Sequence, residues 1–249
     1  MLTPTRARDH GPGAAAGGIR VCGIVKTFRG TTVLDGVDLE VPQGQMHALI
    51  GRNGAGKSTL LRILATTVLP DAGSASIAGI DVLGRPRDAR ARVGLCLADE
   101  RSWYWPLTGR ENLDFFARLH GLRSPRRGKR CAEMLRAVGL EEHADRSFND
   151  YSTGMRLRLS VARALIHDPA VLLLDEPTRS VDPAGAAALL ALVRTEVIAG
   201  RTAILVTHDI GEAAHADGAT ALDEGRVVAS WAQTAGADQL AAALGAEGP

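Results

Sequence analysis

A chain of 249 residues with a formal net charge of +1 and 23% charged residues has room for one large α/β domain, or for a domain with a smaller lobe. Its neutral balance gives no support to nucleic-acid binding. The three cysteines, Cys22, Cys96 and Cys131, are far apart and odd in number, which argues against a disulfide framework or a zinc site and for a reducing cytoplasm. No apolar run approaches the roughly 20 residues of a membrane-spanning helix.

Residues 1–18 carry Arg6 and Arg8 and then Gly, Pro and Ala without an apolar core, so they read as a disordered tail and not as a signal peptide. From Ile19 to Leu39, short Val/Ile/Leu segments broken by Gly30, Gly36 and Asp38 predict an antiparallel β layer. A buried strand follows at 46–50 and leads into Gly51-Arg52-Asn53-Gly54-Ala55-Gly56-Lys57-Ser58-Thr59. This fits G-x-x-x-x-G-K-[ST], a loop whose glycines let backbone N–H groups approach phosphates, while Lys57 reaches the β and γ oxygens and Ser58 offers a hydroxyl to Mg²⁺. Apolar residues at helical spacing predict a helix over 57–68, which places the phosphates at a helix N-terminus.

A strand at 93–97 is followed by Trp103-Tyr104-Trp105. Three consecutive aromatics cannot all face one core from a single element, so at least one is expected to project outward. Helical periodicity at Leu113, Phe116 and Leu119, and again at Met134, Leu135 and Val138, predicts a helical lobe inserted in the sheet. Its basic run, Arg123, Arg126, Arg127, Lys129 and Arg130, reads first as a solvated loop and second as a face for anionic lipid headgroups.

Tyr151-Ser152-Thr153-Gly154-Met155 opens a helix predicted over 155–167, with Ser152 suited to cap it. Val171 to Leu174 is a continuous apolar run, as for a parallel strand buried on both faces, and it ends in Asp175-Glu176. Two carboxylates at a buried strand end are costly unless used. Asp175 is the candidate for the Mg²⁺ shell and Glu176 for the group that orients or deprotonates an attacking water. After a helix at 184–198 and a strand at 203–206, His208 stands where it could touch a γ-phosphate, although a lone histidine at a strand end is often structural. Residues 233–249 form a short Ala-rich C-terminal tail with room for one helix. The alternation of strand and helix argues for a mainly parallel α/β sheet.

In this order the motifs resemble the ATP-binding subunit of ABC transporters, over roughly residues 19–230. The resemblance implies a P-loop NTPase fold with an ATPase domain at 19–232 and a helical subdomain at about 100–168. It assigns Gly51, Asn53, Gly54, Ala55, Gly56, Lys57, Ser58 and Thr59 to the phosphate loop, and Ser152, Thr153, Gly154 and Met155 to the signature motif. Asp175 and Glu176 match the metal carboxylate and the catalytic glutamate, Asp182 the D-loop, and His208 the switch histidine. Phe28 matches the aromatic that stacks on adenine, against the alternative of a core phenylalanine.

The family mechanism implies ATP and Mg²⁺ as ligands and a head-to-tail dimer, with itself or with a paired ABC subunit. In that dimer Ser152 and Gly154 would complete the partner's site. A separate transmembrane permease is implied, with the subunit peripheral on the cytoplasmic face of the membrane. Where the family has a glutamine after the strand at 93–97, this chain has Cys96-Leu97-Ala98-Asp99-Glu100. Asp99 or Glu100 could serve as the oxygen ligand instead, which implies retained but altered catalysis. The wording of the aromatic segment and of Tyr-Ser-Thr-Gly-Met resembles exporters of the ABC-2 type. The alternatives are a non-transport ABC ATPase acting on ribosomes or DNA, and a binding-only paralogue without turnover.

Overall fold

The apolar runs of the sequence become the middle of a layered molecule with two sheets, one helix between them and further helices beyond the larger sheet. The computed structural model describes residues 18–97, 102–179, 181–233 and 236–243. The N-terminal tail up to residue 17, and with it most of that expectation, lies outside them. In chain order the elements are β1 (Ile19–Phe28), β2 (Thr31–Val41), β3 (Met46–Gly51), α1 (Lys57–Leu64), β4 (Ala72–Ile77), β5 (Ile80–Asp81), α2 (Pro86–Ala91), β6 (Val93–Cys96), α3 (Gly109–Leu119), α4 (Arg126–Ala137), α5 (Thr153–Leu165), β7 (Val171–Asp175), α6 (Pro183–Ile198), β8 (Thr202–Val206), α7 (Ile210–Ala213), β9 (Gly218–Asp223), β10 (Arg226–Trp231) and α8 (Ala237–Ala243).

One sheet runs β10-β9-β3-β8-β7-β6, parallel throughout except for its antiparallel edge strand β10. Its central strands are apolar on both faces because both faces are covered. Leu172, Leu174, Ala203 and Leu205 join the core under α5 and α6, while Leu173, Ile204 and Val206 join the core that holds α1 and the second sheet. That second sheet, β2-β1-β4-β5, is antiparallel, so α1 is packed between two sheets.

Gly36 and Asp38, expected to break the β layer, lie inside β2. The pairing of β1 with β2 instead shifts register there, and the Asp38 carboxylate accepts from Gly23 N–H at 2.7 Å. A bulge with its own hydrogen bond absorbs these residues without ending the strand. The hairpin turn is Arg29-Gly30, both with positive φ (49° and 84°), which matches the twist of the flanking strands. Helix α1 stops at Leu64, short of the expected 68, because Ala65 leaves helical geometry and Thr66 turns into the left-handed region at φ 59°. In the lobe, Leu113 and Ala117 of α3 are fully buried, whereas Leu119 is 67% exposed and lies off the apolar stripe.

Trp103 is buried, stacked on Phe148 at 5.1 Å, while Tyr104 and Trp105 are 48% and 42% exposed. Two of the three consecutive aromatics therefore project outward. Within the stretch expected to be a C-terminal tail, α8 buries Leu240 completely in the main core.

His47, on β3, is 3% exposed and its Nε2 lies 2.9 Å from the Thr220 hydroxyl. Burial pulls its pKa from 6.5 down to about 4. The folded pKa lies below the unfolded one, so the stabilisation is complete above pH 6.5 and is lost as pH falls toward 4. At pH 5 the loss is expected to reach about 2 kcal/mol. Denaturant melts of the parent and of His47→Gln at pH 7 and pH 5 check this. The difference between the two pH values should shrink by about that amount in the variant, and an unchanged difference would remove the assignment.

Candidate nucleotide site

Register brings the site together. Strands β3, β8 and β7 are neighbours, and Leu49 and Asp175 both pair with Val206. The chain leaves all three strands at the same end of the sheet, the carboxyl end, where open α/β sheets bind ligands. Gly51 to Gly56, Glu176 and Thr207-His208 are therefore adjacent although more than 150 residues of chain separate the first from the last.

In the loop, a Cβ on Gly51 would stand 2.2 Å from the Leu222 carbonyl oxygen, and one on Gly56, at φ 101°, 2.7 Å from that of Val33. Only glycine permits so close an approach of backbone to backbone. Gly56 precedes α1 and supplies no side-chain cap, so the first N–H groups of that helix are free to face an anion. Asn53 and Gly54 are exposed, Ser58 and Thr59 half-buried, and the Ala55 methyl is buried, leaving that residue its backbone alone. Lys57 is 6% exposed, and its Nζ donates to the carbonyls of Gly51 at 2.6 Å and Arg52 at 2.9 Å. Burial draws its pKa down, and the nearby Glu176 and Asp175 charges oppose that shift.

Asp175 ends β7 at 7% exposure. Burial pushes its pKa up, against the lowering effect of a hydrogen bond from Ser58. A desolvated carboxyl beside a hydroxyl is the hard-oxygen pair that suits Mg²⁺. Among the described residues no cluster of three His, Cys, Asp or Glu forms a protein-only metal cage, so Ser58 and Asp175 would hold the ion with phosphate and water oxygens.

Glu176 sits at φ 48°, a left-handed conformation that a non-glycine residue adopts at a cost of roughly 1–3 kcal/mol. The strained turn is fixed by Glu176 N–H donating to Val206 O at 3.0 Å. Its carboxylate is bracketed, with Oε1 3.4 Å from His208 Nδ1 and Oε2 3.3 Å from Arg179 Nη1. His208 is 64% exposed. The turn carrying it is pinned by the Thr207 hydroxyl, which donates to Glu212 at 2.7 Å and accepts from Asp209 N–H at 3.0 Å. A cavity of about 340 Å³ opens here, lined by Glu176, Arg179, Thr207 and His208 among others.

The remaining sequence candidates lie around this centre. Phe28 is 43% exposed beneath the Lys26 ammonium, 5.1 Å from the ring centroid, so it is not a core phenylalanine. Asp182 caps α6 by accepting from Gly185 N–H at 2.9 Å. Ser152 caps α5 by accepting from Met155 N–H at 3.2 Å. Ser152 and Thr153 are exposed and Gly154 half-buried, where an added Cβ would meet Val181 at 3.9 Å, whereas the Met155 side chain enters the core at 7% exposure. Helix α5 packs on α3, α4 and β6. Asp99 and Glu100 lie outside the described residues. Sequence reasoning missed Arg179 and Thr207. Arg179 stands one turn beyond Glu176, a spacing that could have suggested an ion pair.

The chain is similar to known proteins in sequence and in fold. Residues 34–179 match the family model described as ABC transporter. The chain is 41% identical over 85% of its length to the daunorubicin/doxorubicin resistance ATP-binding protein DrrA of Streptomyces peucetius, and 42% identical over 85% to DrrA2 of Streptomyces coeruleorubidus. It spans 64% and 66% of the length of those relatives. It is 38% identical to the Nod factor export ATP-binding protein I of Ralstonia nicotianae, over 88% of this chain and 68% of that one. Among solved structures, a dimeric ATP-binding cassette in a post-hydrolysis state bound to ADP and Pi superposes with a TM-score of 0.79 at 25% identity, over 88% of this chain and 99% of that one. An ATP-binding subunit of an ABC transporter reaches 0.80 at 28% identity, over 90% and 98%. The phosphate loop, the acidic strand end and the histidine turn thus sit on the scaffold that these proteins share, and the chain belongs to the ABC transporter family.

Proposed function

We propose that the chain is the ATP-binding and ATP-hydrolysing subunit of an ABC-2 type exporter, dimerising on ATP to drive a separate membrane permease. The observation that carries this reading is the convergence of Lys57, Asp175, Glu176 and His208 at the ends of three neighbouring strands. Lys57 and the N–H groups of the loop and α1 bind the phosphates, and Phe28 offers an exposed face for adenine. Mg²⁺, bound with ATP, neutralises charge on the phosphate oxygens. Glu176 accepts a proton from the attacking water, and His208, 3.4 Å from that carboxylate, orients it and contacts the γ-phosphate. The cap on α5 presents Ser152, Thr153, Gly154 and the helix dipole to the nucleotide of a second protomer, with Asp182 at the same interface.

The ATPase domain is taken as residues 19–232, with residues 100–168 as its inserted lobe. The names of the relatives support export, and a ribosomal or DNA role has no charge signature behind it. Among the described residues no helix is long and apolar enough to cross a membrane, and a membrane permease as partner would place the subunit peripherally on the cytoplasmic face.

The test is capture of the Glu176→Gln protein from solubilised membranes of its own host with Mg-ATP. A polytopic membrane protein is expected to co-purify, and recovery of ribosomal partners alone would overturn the reading. At the segment after β6, Asp99→Ala or Glu100→Ala is expected to lower steady-state ATP hydrolysis at least tenfold. Parental rates in both variants would show that neither replaces the missing glutamine.

A further inference from the structure

On the helical lobe, away from the nucleotide site, a cavity of about 710 Å³ opens between the end of α3, the start of α4 and the turn from α5 to β7. Four cationic side chains line it, Arg123, Arg126, Lys129 and Arg130, against Glu133 and Asp168. The two carboxylates are already engaged, Asp168 with Arg201 and Glu133 with Arg130 at 3.6 Å. Arg130 also donates to the carbonyls of Leu165 at 2.7 Å and Ile166 at 3.3 Å, which fixes its guanidinium in the wall. Among the described residues, Arg123, Arg126 and Lys129 have no carboxylate partner.

The backbone adds to this excess. Helix α4 begins after Pro125 with no side-chain cap and no acidic residue in its first turn. Its positive end is crowded by cations, the arrangement that a helix dipole disfavours unless an anion is present. A flat wall stands beside them, where the rings of His120 and His167 stack at 3.9 Å and 5°. His167 Nε2 donates to the Val93 carbonyl at 3.0 Å, which fixes its ring in the wall. A flat wall of stacked rings beside cations that have no carboxylate partner suits a phosphate-bearing group.

We propose that this cavity binds a phosphate-bearing anion, held by Arg123, Arg126 and Lys129 at the start of α4. A phospholipid headgroup and a free phosphate compound share this chemistry, and the two sources are separable. The parent for the test is the full chain carrying Lys57→Ala, so that the nucleotide loop contributes little phosphate binding. It is compared with the same chain carrying Arg123→Gln, Arg126→Gln and Lys129→Gln. A control carries Arg87→Gln, Arg90→Gln and Arg92→Gln, which removes equal charge from and just after α2.

Inorganic pyrophosphate is titrated by calorimetry, and sedimentation is measured with vesicles of phosphatidylglycerol and phosphatidylcholine, both near physiological salt so that diffuse attraction is screened. At least a tenfold loss in the α4 variant, with the control near parental, is expected. Loss in the pyrophosphate titration assigns a free phosphate, and loss confined to the vesicles assigns a headgroup. Equal binding by parent and α4 variant in both assays, or an equal loss in the control, would overturn the site and leave a solvated basic face. Thermal melting guards against misfolding, since removing three like charges should leave the melting temperature unchanged or higher.

Discussion

Glu176→Gln is expected to slow ATP hydrolysis by about 10²–10⁴-fold, the range over which a positioned general base acts, while ATP still binds. The substitution keeps shape and hydrogen-bonding capacity, and the backbone at φ 48° is held by the bond to Val206 O and not by the side chain. What disappears is the charge that faces His208 and Arg179 and the site that accepts the proton. With hydrolysis blocked, a dimer holding ATP should accumulate, and size-exclusion chromatography with Mg-ATP measures it. Hydrolysis within threefold of the parental rate would refute the assignment of the base. A slow but monomeric variant would keep the base and remove the dimer.

Lys57→Ala is expected to lower kcat/KM for ATP by about 10²–10³-fold, the effect of deleting one preorganised donor from a site that stabilises developing charge. The ammonium is parked on the Gly51 and Arg52 carbonyls, so it is already inside the loop when the phosphates arrive and moves only between oxygen acceptors. Removing it also takes away a positive charge that Asp175 and Glu176 feel. The loss should therefore appear in nucleotide affinity as well as in turnover, and fluorescence titration with a labelled nucleotide separates the two. Lys57→Arg is not expected to restore activity, because a planar guanidinium is larger than the ammonium that fits between these carbonyls. Restored turnover in that variant would mean that charge alone suffices.

Most of the catalytic chemistry is legible in the linear chain because it rides on short segments with steep physical requirements. A loop that wraps phosphates needs glycine where Gly51 and Gly56 meet backbone oxygens, and a strand buried on both faces needs the unbroken run from Val171 to Leu174. Such demands leave few acceptable sequences, so the pattern is visible without a structure. The strands β4, β5, β9 and β10 were not legible. Ala72–Ile77 and Gly218–Asp223 are rich in Ala, Gly and Ser or Thr, with little intrinsic preference for strand, and are extended because neighbours pair with them.

Composition and spacing determined by themselves that the chain is an α/β protein with a phosphate loop, an acidic strand end and an inserted helical lobe. Each of these rests on local contacts, within one element or its first turn. Tertiary structure alone decided that Glu176 is strained and bracketed by His208 and Arg179, that Phe28 is open to solvent while Trp103 is not, and that most of the basic run lines a cavity. The physical reason is that these properties belong to pairs of residues far apart in the chain, such as His120 and His167 or Glu176 and His208. Their meeting depends on strand register and helix packing, to which no single segment holds the information.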